Sequence, residues 1–411
     1  MANKKVILSH SGKQHSYYVA KNLLELGMLD KFSTGSYVRS KFLQSYFTRS
    51  KNNFWTKRFI QDVYGSSVES NWRFELKYFL FKRFSKSLAD SERLIYDWDM
   101  AYDKYMSRRM ENYKADFFWG FQGSCFESLA AAKRSGMRTI CELSTAHITV
   151  AKRILQQECD LHPEWAESIS NLHFPSEFEK RLEQEPFIAD HVFAASEFTK
   201  QTLLEAGVEN KKIIKLPLGA DISKIKFTPK KDDFQNRPMR LLYAGTVTQR
   251  KGIKYLLEAM RFFSNKDVEL HIIGNVFGSK DAFEKYSSLN IYHGPVSQRE
   301  LFEKYTEYDA LVLPTVFEGF ALVVIEAMAA GLPVITTPNC IGPDIIEEDK
   351  NGYLVPVRDI EKLKEAISKL RGKSASEFLS ISENARRASQ RFTWENHKFN
   401  ISEIFSKQIS L

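Results

Sequence analysis

Cysteine is scarce. The 411 residues hold four, Cys125, Cys141, Cys159 and Cys340, with no CxxC spacing. That excludes a zinc ribbon, a dithiol redox motif and a disulfide scaffold. Buried free thiols in a reducing cytosol are the expectation. Long apolar runs are also lacking, and no stretch approaches the roughly 20 residues of a membrane span. The opening "NKKVILSH" has its apolar part at Val6 to Leu8, too short for a signal-peptide core. A cytoplasmic protein is expected. The nine histidines show no HxxxH-like ligand spacing, and "SGK" at 11–13 lacks the first glycine of a P-loop. There is no internal repeat and no low-complexity tract.

What is present is a two-domain α/β pattern. The length exceeds one usual domain, and 43% hydrophobic residues suffice for two cores. Strands are expected at Lys5–Ser9, Asp116–Gly120, Thr139–Leu143, His191–Ala195 and Lys212–Leu216, with a helix over Ser16–Leu26. "KFTPKKDDFQNRP" (226–238) is polar, charged and bounded by proline, and reads as a linker. The second half repeats the strand–helix alternation.

The most informative stretch is "LVLPTVFEGFALVVIEAMAAGLPVITT" (311–337). Leu311–Leu313 reads as a buried strand closed by Pro314. A loop follows, then a helix ended by Gly331 and Pro333, then a second strand. Glu318 falls in the loop and Glu326 about a turn and a half into the helix. Helical side chains lean toward the N-terminus, so both carboxylates face one cleft. Between them the N–H groups of Gly319, Phe320 and Ala321 sit where a helix N-terminus attracts an anion. A carboxylate among Val323, Val324, Ile325 and Met328 is costly unless it has a partner. That weighs against the alternative of two solvated surface glutamates.

"EGFALVVIEA" (318–327) resembles the E-x7-E signature of the retaining glycosyltransferases of family 4, which have the GT-B architecture. "LLYAGTVTQRKGIKYLLEAM", "VELHIIGNVFG", "NIYHGPVSQRELFEKYTEYDALVLPT" and "NGYLVPVRDIEKLKEAI" resemble that family's successive segments in order. The likeness covers most of residues 239–411 and is thinner before them. It implies an α/β GT-B fold of two Rossmann-like domains facing an interdomain cleft. Residues 1–225 would bind the acceptor and carry a basic, aromatic helical insertion at about 39–115. Residues 226–238 would be the linker, and 239–390 would bind the nucleotide sugar. Residues 391–411 would form a helix crossing back to the first domain.

Function by resemblance is transfer of a sugar, with retention, from a nucleotide-diphosphate sugar to a glycan or lipid-linked acceptor, in bacterial surface-polysaccharide or glycolipid assembly. Arg250 and Lys251, in the turn after the strand ending at Gly245, would hold the diphosphate. Arg250 offers a planar fork and Lys251 a point charge. The backbone of Gly319, Phe320, Ala321 and Leu322 would add donors. Glu326 would hold the ribose hydroxyls and Glu318 a donor-sugar hydroxyl, since a carboxylate accepts several hydrogen bonds. Gly12, with Ser11, matches the family's glycine turn only in part. His147, after "TICELSTA", is the candidate for a histidine near the anomeric carbon, with a structural loop histidine as the other reading. Glu142 is a weaker alternative, and His15 reads as surface. No metal or other cofactor is expected. Asp97 and Asp99 spell "DWD", a metal motif of a different glycosyltransferase fold, but their helical context reads as a solvated helix face.

Charge is uneven. Residues 39–86 hold eleven Lys and Arg against three Asp and Glu, an excess of eight that equals the net charge of the whole chain. Thirteen aromatics are interleaved, among them Trp55, Trp72, Phe79 and Phe81. Such a surface suits an anionic membrane or an acidic acceptor, and a position on the inner face of the cytoplasmic membrane. A nucleic-acid-binding protein would share this composition but leaves Glu318, Glu326 and Arg250 unexplained, so no nucleic-acid partner is expected. A nucleotide-sugar epimerase on the same fold is the nearer alternative. No pyridoxal-phosphate lysine signature points to a phosphorylase.

Overall fold

The computed structural model describes residues 4–50, 53–74, 88–169 and 174–409. Among these residues the strands form two parallel sheets. The first contains β1 (Val6–His10), β2 (Leu29–Thr34), β3 (Val68–Ser70), β4 (Phe117–Phe121), β5 (Arg138–Leu143), β6 (His191–Ala194) and β7 (Ile213–Lys215), in the order β3-β2-β1-β4-β5-β6-β7. The second contains β8 (Met239–Ala244), β9 (Val268–Ile273), β10 (Ile291–Gly294), β11 (Ala310–Leu313), β12 (Val334–Thr336) and β13 (Gly352–Leu354), in the order β10-β9-β8-β11-β12-β13. Each of the five expected N-terminal strands lies within about two residues of its observed bounds, a normal margin for element ends.

Both faces of the first sheet are buried, as parallel sheets require. Val6 and Leu8 of β1 join Phe117, Trp119 and Phe121 of β4 on one face. Ile7 and Phe118, one residue out of phase, join the core on the other. Successive side chains of a strand point to opposite faces, so one apolar run feeds two cores. The second sheet has a single large core.

Five helices position the cleft and its borders. α1 (Ser16–Glu25) follows β1. α2 (Lys41–Ser50) opens the insertion, and α3 (Leu88–Ser107) closes it. Gln44 anchors α2 by donating to the carbonyls of Val38 and Val63, 2.8 and 2.9 Å away. Phe79, Phe81 and the surrounding lysines and arginine at 77, 82, 83 and 86 lie outside the described residues. α4 (Leu322–Ala330) connects β11 to β12. α5 (Trp394–Lys407) returns from the C-terminal half onto the first domain. Its Trp394 ring stacks on Tyr18 of α1 at 4.3 Å, and Ile401, Ile404 and Phe405 enter the core beside Val6.

Candidate functional site

Two local devices assemble the site in the second domain. The first is the turn after β8. Gly252 stands at φ +70°, and a Cβ there would meet the Pro314 carbonyl oxygen at 1.8 Å. Only glycine allows this approach of the "QRKG" turn to the loop after β11. The backbone carbonyl of Arg250 then accepts from Val316 N–H at 2.9 Å and from the Thr315 hydroxyl at 3.1 Å. The two cations are thereby set against Glu318. Its Oε1 lies 3.0 Å from Arg250 and 2.6 Å from Lys251. Burial raises the Glu318 pKa, but Lys251 and Arg250 outweigh it and hold the carboxyl below its ordinary range. The Lys251 stem also lies over Gly245.

The second device is α4, whose last residue is followed by Gly331 at φ +95°. Val324, Ile325 and Ala327–Ala330 are buried, so the helix is a core element with one exposed end. Ala321, just before it, is left-handed at φ +58°, a strained conformation for a residue with a Cβ. Phe320 packs edge-on against Phe392 and is 4% exposed, so it offers a ligand only its backbone. Glu326 accepts from Gln298 at 3.2 Å and from the Tyr305 hydroxyl at 3.3 Å. Burial raises its pKa, and these two donors lower it less.

Glu326 and exposed Leu322 line an interdomain cavity of about 930 Å³. Its other wall belongs to the first domain and linker: Lys13, His15, Tyr18 and Lys226. The domains meet closely beside it. A Cβ on Gly319 would reach the Ser144 carbonyl oxygen at 1.7 Å, and the Ser196 hydroxyl donates to the Gly319 carbonyl at 3.0 Å. Gln249, next to Arg250, donates to Glu158 at 2.9 Å. Glu158 is fully buried and also takes the Tyr255 hydroxyl at 3.0 Å and Arg358. This polar knot spans the domains and steadies the cationic turn. It was not foreseen, because its members lie 91 to 200 residues apart.

In the first domain the structure rearranges the expected roles. His147 is 1% exposed. Its ring is engaged by Thr149 at 2.8 Å and by the Glu183 carbonyl at 3.3 Å, and burial lowers its pKa. It lines neither the large cavity nor the smaller one. The histidine at the cleft is His15, which read as surface. Its Nε2 lies 2.6 Å from Glu142 Oε1, while Glu142 Oε2 accepts from Trp119 at 2.9 Å. Gly12 donates its N–H to His10 Nδ1 at 2.8 Å and turns the chain toward Lys13 and His15.

The "DWD" reading needs correction. Asp97 is exposed, as expected, but Asp99 turns inward and accepts from the Ser11 hydroxyl. Burial pushes its carboxyl up to about 7. Helical spacing places two residues two apart on different faces, so one aspartate can be solvated while the other is enclosed.

Comparison with known proteins then places the molecule. The family described as Glycosyl transferases group 1 matches residues 238–372. The chain is similar to the putative colanic acid biosynthesis glycosyltransferase WcaL of Escherichia coli, 24% identical, over 52% of this chain and 54% of that one. It is 26% identical to the MMP alpha-(1->4)-mannosyltransferase of Mycolicibacterium hassiacum, over 57% of each. In structure it resembles HepE of Anabaena, solved with UDP and glucose, at a TM-score of 0.61 and 15% identity, covering 98% of this chain and 100% of that one.

Residues 238–372 match the glycosyl transferases group 1 family, and the whole chain has the GT-B fold.

The chain spans about half the length of the curated relatives it matches. The group 1 domain contains Gly245, Arg250, Lys251, Glu318 and the Gly319–Glu326 segment. The structure brings Arg250, Lys251 and Glu318 into contact and sets Glu326 on the wall of the neighbouring cavity. His15 lines that cavity from the first domain and Gly12 lies in the turn before it, while His147 lines neither cavity.

Proposed function

We propose that the protein is a retaining glycosyltransferase. It takes a sugar from a nucleotide-diphosphate sugar and passes it to a glycan or lipid-linked acceptor, in surface-polysaccharide or glycolipid assembly. One observation carries this reading: Arg250 and Lys251 stand together on Glu318, just before the helix α4 that carries Glu326 on the wall of a large interdomain cavity, and Arg250 lines the smaller cavity that shares Gln14 with it.

Each group has a task there. The ribose hydroxyls displace Gln298 and Tyr305 from Glu326, whose present hydrogen bonds are long. Arg250, Lys251 and the N–H groups at the start of α4 receive the diphosphate. They stabilise the charge that grows on it as the anomeric carbon–oxygen bond breaks. As that charge grows, the cations shift from Glu318 toward the phosphate. Glu318 is then released to accept a donor-sugar hydroxyl. The acceptor oxygen bonds to the anomeric carbon on the face the diphosphate leaves, and its proton ends on the diphosphate. This last step follows from the resemblance to the retaining family. No metal is needed when fixed cations and amides supply the charge.

The test is incubation with UDP-, GDP- and ADP-sugars, with and without candidate acceptors. Nucleotide release that depends on acceptor, with an α-linked product from an α-linked donor, supports the reading. An isomerised nucleotide sugar formed without acceptor would favour the epimerase instead.

A further inference from the structure

Behind the large cavity lies a second one of about 300 Å³ that no role has yet claimed. That is the small end of ligand cavities, which run about 300–1,000 Å³. It suits one ring rather than a chain. The cavity shares Gln14 with the large one and is also lined by Arg250 and Phe317 of the second domain.

Its walls divide by chemistry. One side is aromatic. Tyr96 of α3 stacks on Phe178 at 4.6 Å and 26°, and meets Phe174 edge-on at 5.3 Å. Phe121 and Phe317 add further faces. The other side is polar and acidic, with Asp99, Gln122 and Glu142. Both Glu142 oxygens are already bound, by His15 and Trp119. Asp99 makes one hydrogen bond, from Ser11, and none other among the described residues, which leaves its second oxygen for a ligand.

Resting on the glycosyltransferase reading, we propose that this cavity is the acceptor subsite, that it takes a neutral pyranose ring, and that Asp99 binds a hydroxyl of that ring. A pyranose has one face of C–H groups and a rim of hydroxyls, which matches an aromatic wall opposite carboxylates. An anionic acceptor end, such as a phosphate, is disfavoured here by the Glu142 carboxylate, with Arg250 the one Lys or Arg among the described lining residues. Arg250 also lines the cavity, and on the glycosyltransferase reading the donor diphosphate takes its charge. Asp99 belongs to the insertion helix, not to the group 1 domain. Acceptor choice is therefore encoded in a segment separate from donor binding.

The test uses saturation-transfer NMR with methyl glucoside, methyl galactoside and methyl mannoside, each with whichever of UDP, GDP or ADP binds. Calorimetry measures that nucleotide alone. Wild-type protein should contact at least one methyl glycoside. Asp99→Asn keeps the hydrogen bond to Ser11, and its fold is checked by Tm. It should weaken glycoside binding by about tenfold and leave nucleotide affinity within about twofold, as expected for losing one hydrogen bond to a buried carboxyl group. Tyr96→Ala should act in the same direction. No glycoside bound by the wild type, equal binding in both variants, or tighter binding of glucose 1-phosphate than of the neutral glycosides would each overturn the proposal. Failure of every nucleotide to bind, with glycoside binding and its loss intact, would instead overturn the transferase reading and leave the sugar pocket standing.

Discussion

At the scale of single residues, Glu326 carries the sharpest expectation. Burial raises its pKa, and its two present donors, at 3.2 and 3.3 Å, are weak partners for a carboxylate. A nucleotide ribose would improve on both. Glu326→Ala should weaken binding of the free nucleotide diphosphate by roughly 2–4 kcal/mol, the value of two charge-assisted hydrogen bonds. Calorimetry on folded variant decides, and unchanged affinity would remove Glu326 from the ribose site. Arg250 should behave differently, because its charge counts most as the diphosphate departs. Arg250→Ala should lower turnover by about 10²–10³-fold with a smaller effect on nucleotide affinity. Activity should also survive EDTA; loss on chelation with rescue by Mg²⁺ or Mn²⁺ would show that a metal supplies the charge. Glu326 was legible in the sequence because strand, loop and helix follow one another within residues 311–337, and Arg250 because its turn follows the strand ending at Gly245. The pairing of His15 with Glu142 and that of Asp99 with Ser11 were not. His15 meets Glu142 across 127 residues and Ser11 meets Asp99 across 88, and no local period encodes such pairs. For His147, a position after a strand was the only signal. It did not reveal that the ring turns away into Thr149 and Glu183.

Among the elements, α2 is the one whose surface is unusual. Gln44 fixes it to Val38 and Val63, so its opposite face is held outward. That face presents Phe42, 77% exposed, and Tyr46, 58% exposed, with Leu43 between them. Arg39, Lys41 and Lys57 are exposed around them. Apolar side chains ringed by cations fit an anionic lipid surface. Each cation near such a leaflet contributes about 1 kcal/mol, screened within ~10 Å at 0.1 M salt, and inserted rings add a salt-resistant part. The protein should sediment with anionic vesicles more than with neutral ones, and high salt should release only part of it. Phe42→Asp combined with Tyr46→Asp should abolish the salt-resistant fraction and leave nucleotide affinity unchanged. Wild-type protein remaining in the supernatant with anionic vesicles at low salt would refute this, and would return the patch to a soluble acidic acceptor. The composition of residues 39–86 announced a basic, aromatic surface. It could not say which rings face water, since that depends on what each helix packs against. Phe47, for example, stacks on Trp55 at 5.0 Å while Phe42 on the same helix does not.

For the whole molecule, the alternation of strand and helix was readable from periodicity, and so were two sheets. The joint between them was not, because it is made of single polar pairs far apart in the chain. Besides the linker, the halves are tied by the Glu158 knot, by Lys215 to Asp344 at 2.8 Å, and by α5 lying across the first domain. The docking of α5 contains a proton-sensitive part. His397 is 1% exposed, and its Nδ1 stands 3.0 Å from the Asn22 amide nitrogen, which also donates to the Trp394 carbonyl at 3.1 Å. The amide nitrogen can only donate, so Nδ1 must accept and the ring must be neutral. Burial, with a smaller contribution from His15, lowers the His397 pKa to about 3. The folded pKa thus lies below the ordinary value near 6.5. Its contribution to stability is therefore complete above about 6.5 and is lost progressively as the pH falls toward 3, because the unfolded chain binds the proton first. Near pH 5 the loss should amount to about 1–2 kcal/mol. Asp99 and Glu185, whose carboxyls burial raises to about 7 and about 8, act with the opposite sign, so total stability alone would hide the effect. Comparison with His397→Gln removes that interference, since both proteins keep those carboxyls. The Tm difference between wild type and variant should shift in the variant's favour from pH 7 to pH 5. Hydrogen-exchange protection within 394–407, measured relative to the slower intrinsic exchange at lower pH, should fall over the same range in the wild type only. Parallel Tm curves for the two proteins would mean that His397 is protonated equally in both states, and that the seam closed by α5 is insensitive to acid.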